Sequence, residues 1–126
     1  MKKILLLLTT CICTSQMLKA QTPVAYYPFN GNANDVIGIN NGTVTGAALT
    51  ADRFGNINSA YYFDGINDRI NASLSTTVVD NFSLEGWAKI SSFTSDNQMI
   101  FHNGNSFLNG WGLLISSTGG LVVIYG

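Results

Sequence analysis

Cysteine, cationic side chains and glutamate are the scarce materials of this 126-residue chain, and each scarcity excludes something. The two cysteines, Cys11 and Cys13, lie in the first twenty residues. Those residues read as a secretory signal peptide. Lys2 and Lys3 precede a short apolar run, Ile4 to Leu8, which fades into "LKA" before Gln21. The run is too short for a membrane span, which needs about 20 apolar residues. A lipid on Cys11 or Cys13 is disfavoured, because "LTTC" has no small residue before the cysteine. Removing residues 1–20 leaves 106 residues without cysteine, hence without disulfides, thiolate metal sites or a thiol nucleophile.

Three of the six lysines and arginines leave with that segment, so only Arg53, Arg69 and Lys89 face seven carboxylates, a net charge of −4. A surface this poor in cations cannot neutralise many phosphates, which argues against nucleic acid and against anionic membranes as partners. Glu85 is the single glutamate and His102 the single histidine. Glycoside hydrolysis normally asks for two carboxylates at a fixed separation, and no such pair is evident. His102, beside "NGN", has no evident catalytic or metal-ligating companion either.

Helical periodicity is missing as well. In its place stand short runs of Val, Ile, Tyr, Phe and Thr separated by Asn, Gly, Asp and Ser. The pattern predicts strands over Pro23–Phe29, Thr43–Ala48, Ala60–Asp64, Arg69–Ser73, Phe82–Ile90, Gln98–His102, Gly110–Ser116 and Leu121–Tyr125. Asn-Gly pairs at Asn30, Asn41, Asn103 and Asn109, with Asp-Gly at Asp64, supply tight-turn chemistry. The expected class is all-β: one antiparallel sandwich or barrel. In "FSLEGWAKI" the residues Phe82, Leu84, Gly86, Ala88 and Ile90 share one face, as in a half-buried strand. Trp111, Leu113 and Ile115 share a strand face too, which points to core packing.

Residues 26–42, "YYPFNGNANDVIGINNG", gather five asparagines and three glycines around Asp35. Two readings compete: a calcium loop built on amide and carboxylate oxygens, or a wide loop closed by Asx turns. The spacing of Asn30, Asn32 and Asn34 imitates an EF-hand, but the sixth position is Asp35 and the twelfth Asn41, where glycine and glutamate are required. On the residues alone, turns are favoured. Asp64 and Asp68 flank another turn at Gly65, where Asp64 is expected to cap the turn and Asp68 to meet Arg69 or solvent. Asn41, Asn71 and Asn81 begin N-x-[ST] sequons, and glycosylation there is not expected in a bacterial protein.

Three stretches, "VAYYPFNGNANDVIGINNGTV", "DRFGNINSAYYFDGINDRI" and "FSLEGWAKI", occur in an order and spacing that closely resemble the LamG-like jelly-roll domains. These belong to the concanavalin A-like lectin/glucanase superfamily, in the version found in secreted, multi-domain bacterial proteins. The resemblance covers most of Val24 to Ile90 and extends into "GWGLLISSTGGLVVIYG". It implies a jelly-roll β-sandwich with ligands met on the concave face or the loop rim. It also implies calcium at the rim, with Asn32, Asp35 and Asn40 as ligands, and a scaffold tryptophan at Trp87. Because family members continue with further strands, residues 21–126 are expected to be the N-terminal portion of a domain in a longer chain, hence an incomplete sandwich.

The functional expectation is a secreted or cell-surface, non-catalytic module that binds extracellular glycan or protein, in adhesion or polysaccharide targeting. The alternatives are a glycoside hydrolase of the same superfamily and a structural spacer in a larger surface protein. The glutamate-rich catalytic strand of the glucanases is absent, which counts against the first of these.

Overall fold

The computed structural model describes residues 22–74, 82–104 and 110–125, and the regular elements in them are all short strands. Segment 1–20, expected as a signal peptide, lies outside them, as does the sequon at Asn81. In chain order the strands are β1 (Thr43–Thr45), β2 (Ala48–Thr50), β3 (Ala60–Tyr62), β4 (Arg69–Asn71), β5 (Gln98–Asn103), β6 (Trp111–Ile115) and β7 (Leu121–Tyr125). All pairings are antiparallel: β1 with β4, β2 with β3, and a three-stranded sheet in the order β5-β6-β7. The all-β class is therefore observed, in three small sheets with no closed barrel among the described residues.

The first two pairs form one interrupted ribbon. Val44 faces Ile70 in the outer ladder and Leu49 faces Tyr61 in the inner one. Thr43–Ala48, expected as one strand, is split because Gly46 adopts φ 78°, which takes the backbone out of the β region. A side chain there would also collide with the Asp68 carboxylate. Opposite this kink the segment 63–68 bulges away, held by the Asp68 Oδ2 atom accepting the Asp64 N–H at 2.9 Å and Asp64 Oδ1 accepting that of Ile66 at 2.8 Å. Asp64 thus caps the turn as expected, while Asp68, expected to meet Arg69 or solvent, accepts the Asp64 N–H from a half-buried position.

Pro23–Phe29, expected as a strand, has no ladder partner. Its backbone bonds are taken by a loop, with Val36 N–H donating to Tyr26 C=O at 3.0 Å. Phe29 lies at φ 58°, an uncommon conformation for a bulky residue. Its ring is held edge-on to Tyr61 at 5.3 Å and beside Tyr27 at 6.4 Å, so aromatic packing offsets the backbone strain.

The β5–β7 sheet follows the sequence pattern more closely, with β7 lying where expected and β5 and β6 within a residue of their expected ends. A bulge at Ile100, between the Met99–Leu114 and Phe101–Leu113 pairs, lets two successive residues face the same side. That side borders an apolar cavity of about 310 Å³, lined among others by Ile100, Phe101, Leu113, Ile115, Leu84 and Ile90.

Segment 82–90 is the main correction to the expected strand set. Part of its expected apolar face does touch the sheet, since Phe82 meets Trp111 at 4.9 Å and Gly86 lies so near Phe101 that a Cβ would sit 3.1 Å from the ring, although all of 82–90 is exposed. Yet it lies across the face of the sheet, where no strand edge offers N–H and C=O partners, so it carries no strand. Periodicity reports which side is covered; it does not report an edge to pair with. A second correction concerns β6. Trp111, Leu113 and Ile115 are only half-buried, while Leu114 on the opposite face is 3% exposed and Gly112 beside it is buried.

Candidate functional site

The loop at residues 26–42 is organised by the side chain of Asp35, the only buried charged group among the described residues at 6% exposure. Three backbone N–H groups converge on its carboxylate. Tyr26 and Ile37 donate to Oδ1 at 3.0 and 3.1 Å, and Asn40 donates to Oδ2 at 3.3 Å. The Gly38 backbone runs so close that a Cβ would lie 2.5 Å from Oδ2. These bonds, that of Tyr26 foremost, hold the Asp35 pKa down to about 2, from the ordinary 3.8, against the opposing effect of desolvation.

The surrounding polar groups complete the loop. Asn41 Oδ1 accepts the Asp35 N–H at 3.0 Å, and the Tyr27 hydroxyl donates to Asn40 C=O at 2.7 Å. Burial and the nearby Asp35 charge push the Tyr27 pKa up. Gly42 donates to Ala33 C=O at 2.7 Å, and Ala33, 3% exposed, packs against Gly42 and Ile70 as a small apolar floor.

Of the three expected ligands, Asp35 and Asn40 are brought together, whereas Asn32 closes a turn of its own. Its Oδ1 accepts the Asn34 N–H at 2.9 Å. A carboxylate has about four lone-pair sites, and at Asp35 three N–H donors are bound to them, two on Oδ1 and one on Oδ2. A cation at this carboxylate would share it with N–H groups whose positive ends already point at it. Among the described residues no three His, Cys, Asp or Glu side chains come together.

A second clamped loop spans residues 51–59. Asp52 Oδ1 accepts the N–H groups of Phe54 and Asn56 at 2.8 and 2.9 Å, and the Asn56 side-chain amide donates to Oδ2 at 2.9 Å. The Asn56 amide is the largest cause of the lowered Asp52 pKa. This loop carries Arg53, whose guanidinium sits 3.9 Å from the Trp87 ring centroid and 4.3 Å from that of Phe54. Trp87, expected as a scaffold tryptophan, is 78% exposed, and Phe54 is 73% exposed. The two loops also touch, since Gly31 N–H donates to Asn58 C=O at 2.7 Å.

The Arg53 stack was missed in the sequence because Arg53 and Trp87 lie 34 positions apart. Tyr26, Gly38 and Ile37 were missed for another reason: they act through backbone N–H groups, which every non-proline residue carries. Only the Asn-Gly and Asx patterns around them were readable.

Comparison with protein-family models, curated proteins and solved structures returned no match to this chain.

Proposed function

We propose that the chain is a secreted, non-catalytic recognition module that binds extracellular carbohydrate or protein through the loops at 26–42 and 51–59. On this reading the three small sheets belong to a jelly-roll sandwich of the concanavalin A-like type, and the loops form its rim. The supporting observation is the pairing of clamped loop backbones with exposed apolar side chains. Asp35 and Asp52 order the backbone, while Ile39, Phe54 and Trp87 stand 93%, 73% and 78% exposed. Ordering the loops in advance reduces the entropy lost on binding. Exposed rings stacked on Arg53 offer flat apolar faces of the kind that sugar rings and aliphatic side chains cover.

The shortage of acid–base groups, one glutamate and one histidine in the chain, supports a non-catalytic role. Calcium has no necessary part in this reading, because three backbone N–H groups already order the loop around Asp35. No helix among the described residues is long and apolar enough to cross a membrane.

The test is binding of the secreted chain to an immobilised panel of neutral and acidic polysaccharides, alongside Trp87→Ala and Arg53→Ala. The reading expects retention on at least one polysaccharide, lost in Trp87→Ala with an unchanged melt. Retention that survives both substitutions moves the site away from this surface. Retention on no polysaccharide, together with capture of a surface protein that Trp87→Ala abolishes, selects the protein ligand over the glycan.

A further inference from the structure

We propose that Arg53, held against Trp87 and Phe54, is a subsite for a carboxylated sugar, so that the module selects uronic-acid glycans over neutral ones. This subsite lies within the recognition surface proposed above and depends on that reading. The guanidinium carbon of Arg53 sits 3.9 Å from the Trp87 ring centroid and 4.3 Å from that of Phe54. Cation–π contact covers the flat faces of a guanidinium and leaves N–H donors at its edge. Arg53, Phe54 and Trp87 are all exposed among the described residues, so those donors are within reach of a ligand.

The neighbouring carboxylates do not use these donors. Asp52 is occupied by its own loop, accepting the N–H groups of Phe54 and Asn56 on Oδ1 and the Asn56 side-chain amide on Oδ2. That clamp orders the backbone on either side of Arg53, while the two rings hold its head, so the cation is fixed at both ends. Glu85 and Lys89 each lie two positions from Trp87, and their formal charges cancel. Arg69, by contrast, donates to the Asn67 carbonyl at 3.4 Å.

The chemistry of the free donors selects the ligand class. Arginine offers a planar fork, which a carboxylate meets with two parallel, charge-assisted hydrogen bonds. A neutral hydroxyl accepts such a bond without bringing a charge to the cation. In a uronic acid the carboxylate is attached to a sugar ring with an apolar C–H face. Seating the carboxylate on the fork brings that face beside Trp87 and Phe54, which an acidic protein side chain would leave bare. With a net charge of −4 over residues 21–126, the chain provides no broad positive field. Selection is therefore local, made by the fork and its flanking rings.

The test is retention of the chain on immobilised polygalacturonate and alginate, each beside its esterified form, with dextran and dextran sulfate alongside. Physiological salt is used, where exposed charges more than about 8 Å apart are screened. The parent should bind at least one of the two polyuronates about 10- to 100-fold more tightly than its ester, the ratio expected for one hydrogen bond to a charged group. Esterification keeps the sugar chain and removes the charge, so this comparison needs no variant and no folding control. Arg53→Lys, which keeps the charge but loses the fork, should lose most of that preference, and Arg53→Ala all of it. Equal retention on acid and ester, a preference that survives in Arg53→Ala, or retention on dextran sulfate without retention on either polyuronate would each overturn the proposal. Retention on dextran alone, abolished by Trp87→Ala, would overturn acid selection and leave the recognition reading standing. Retention on none of them would overturn it as well, and would leave that reading only its protein ligand.

Discussion

The loop around Asp35 and the sheet β5–β7 solve the same problem with opposite chemistry. In the loop a single carboxylate gathers three N–H groups from residues spread between Tyr26 and Asn40, and the small floor of Ala33, Gly42 and Ile70 lends apolar support. In the sheet the backbone satisfies itself through the ladder, and stability comes from Leu114 beneath it and the half-buried row of Trp111, Leu113 and Ile115 above. A polar hub is specific but concentrated, because it stands or falls with one side chain. An apolar ladder spreads the same task over many positions. The two regions should therefore respond differently to substitution, acid and ligands.

Asp35→Ala is expected to have the largest local effect. It leaves three N–H groups without their acceptor, and amide exchange at Tyr26, Ile37 and Asn40 should lose its protection while Val122 and Ile124 keep theirs. Equal loss of protection in both regions would show that they unfold as one unit. Leu114→Ala attacks the other region. Emptying a site only 3% exposed should lower stability by about 2–5 kcal/mol in a urea titration, with the slope unchanged.

Acid sharpens the contrast further. With its pKa depressed to about 2 in the folded loop and near 3.8 when unfolded, Asp35 contributes stability that is fully present above about pH 4. That contribution is lost as pH falls towards 2. Amide exchange followed from pH 5 down to about pH 2 should therefore show the loop opening before the sheet. Simultaneous opening would assign the acid sensitivity to some other group.

Arg53→Ala should have a smaller effect, about 1 kcal/mol, because the Trp87 and Phe54 stack is exposed. A larger loss would mean that the stack anchors segment 82–90 to the rest of the chain. The smallest response is expected from calcium. Millimolar calcium against excess chelator should leave the melting midpoint unchanged, since three N–H groups already point their positive ends at the Asp35 carboxylate. An upward shift of several degrees would overturn this account of the loop and restore Asn32, Asp35 and Asn40 as ligands.

Legibility differed between the regions for a related reason. In β6 and β7, adjacent elements pair through a short turn at Gly119, so local pattern and tertiary partner coincide, and the expected bounds are nearly the observed ones. Turn chemistry was equally readable at Asp64, which caps its turn as Asp-Gly predicts. In segment 82–90 the same period-two pattern is present, but the segment lies over a sheet face and forms no strand. At Pro23–Phe29 the β-prone residues found a carboxylate and a loop carbonyl in place of a ladder. Asp35 stood out by composition; that its role is to accept backbone N–H groups did not, because those donors have no sequence signature.

The sequence by itself determined the β class and the turn at Asp64-Gly65, since these follow from residue identity and local conformational preference. It also determined that Asp35 would lie at the centre of the loop. Only the tertiary structure decided how the Asp35 oxygens are used, where Arg53 stacks, and which faces of 82–90 and β6 are covered. Those outcomes depend on which groups distant in the chain arrive at hydrogen-bonding or van der Waals distance. Arrival of that kind is a property of the folded backbone as a whole, and no window of sequence contains it.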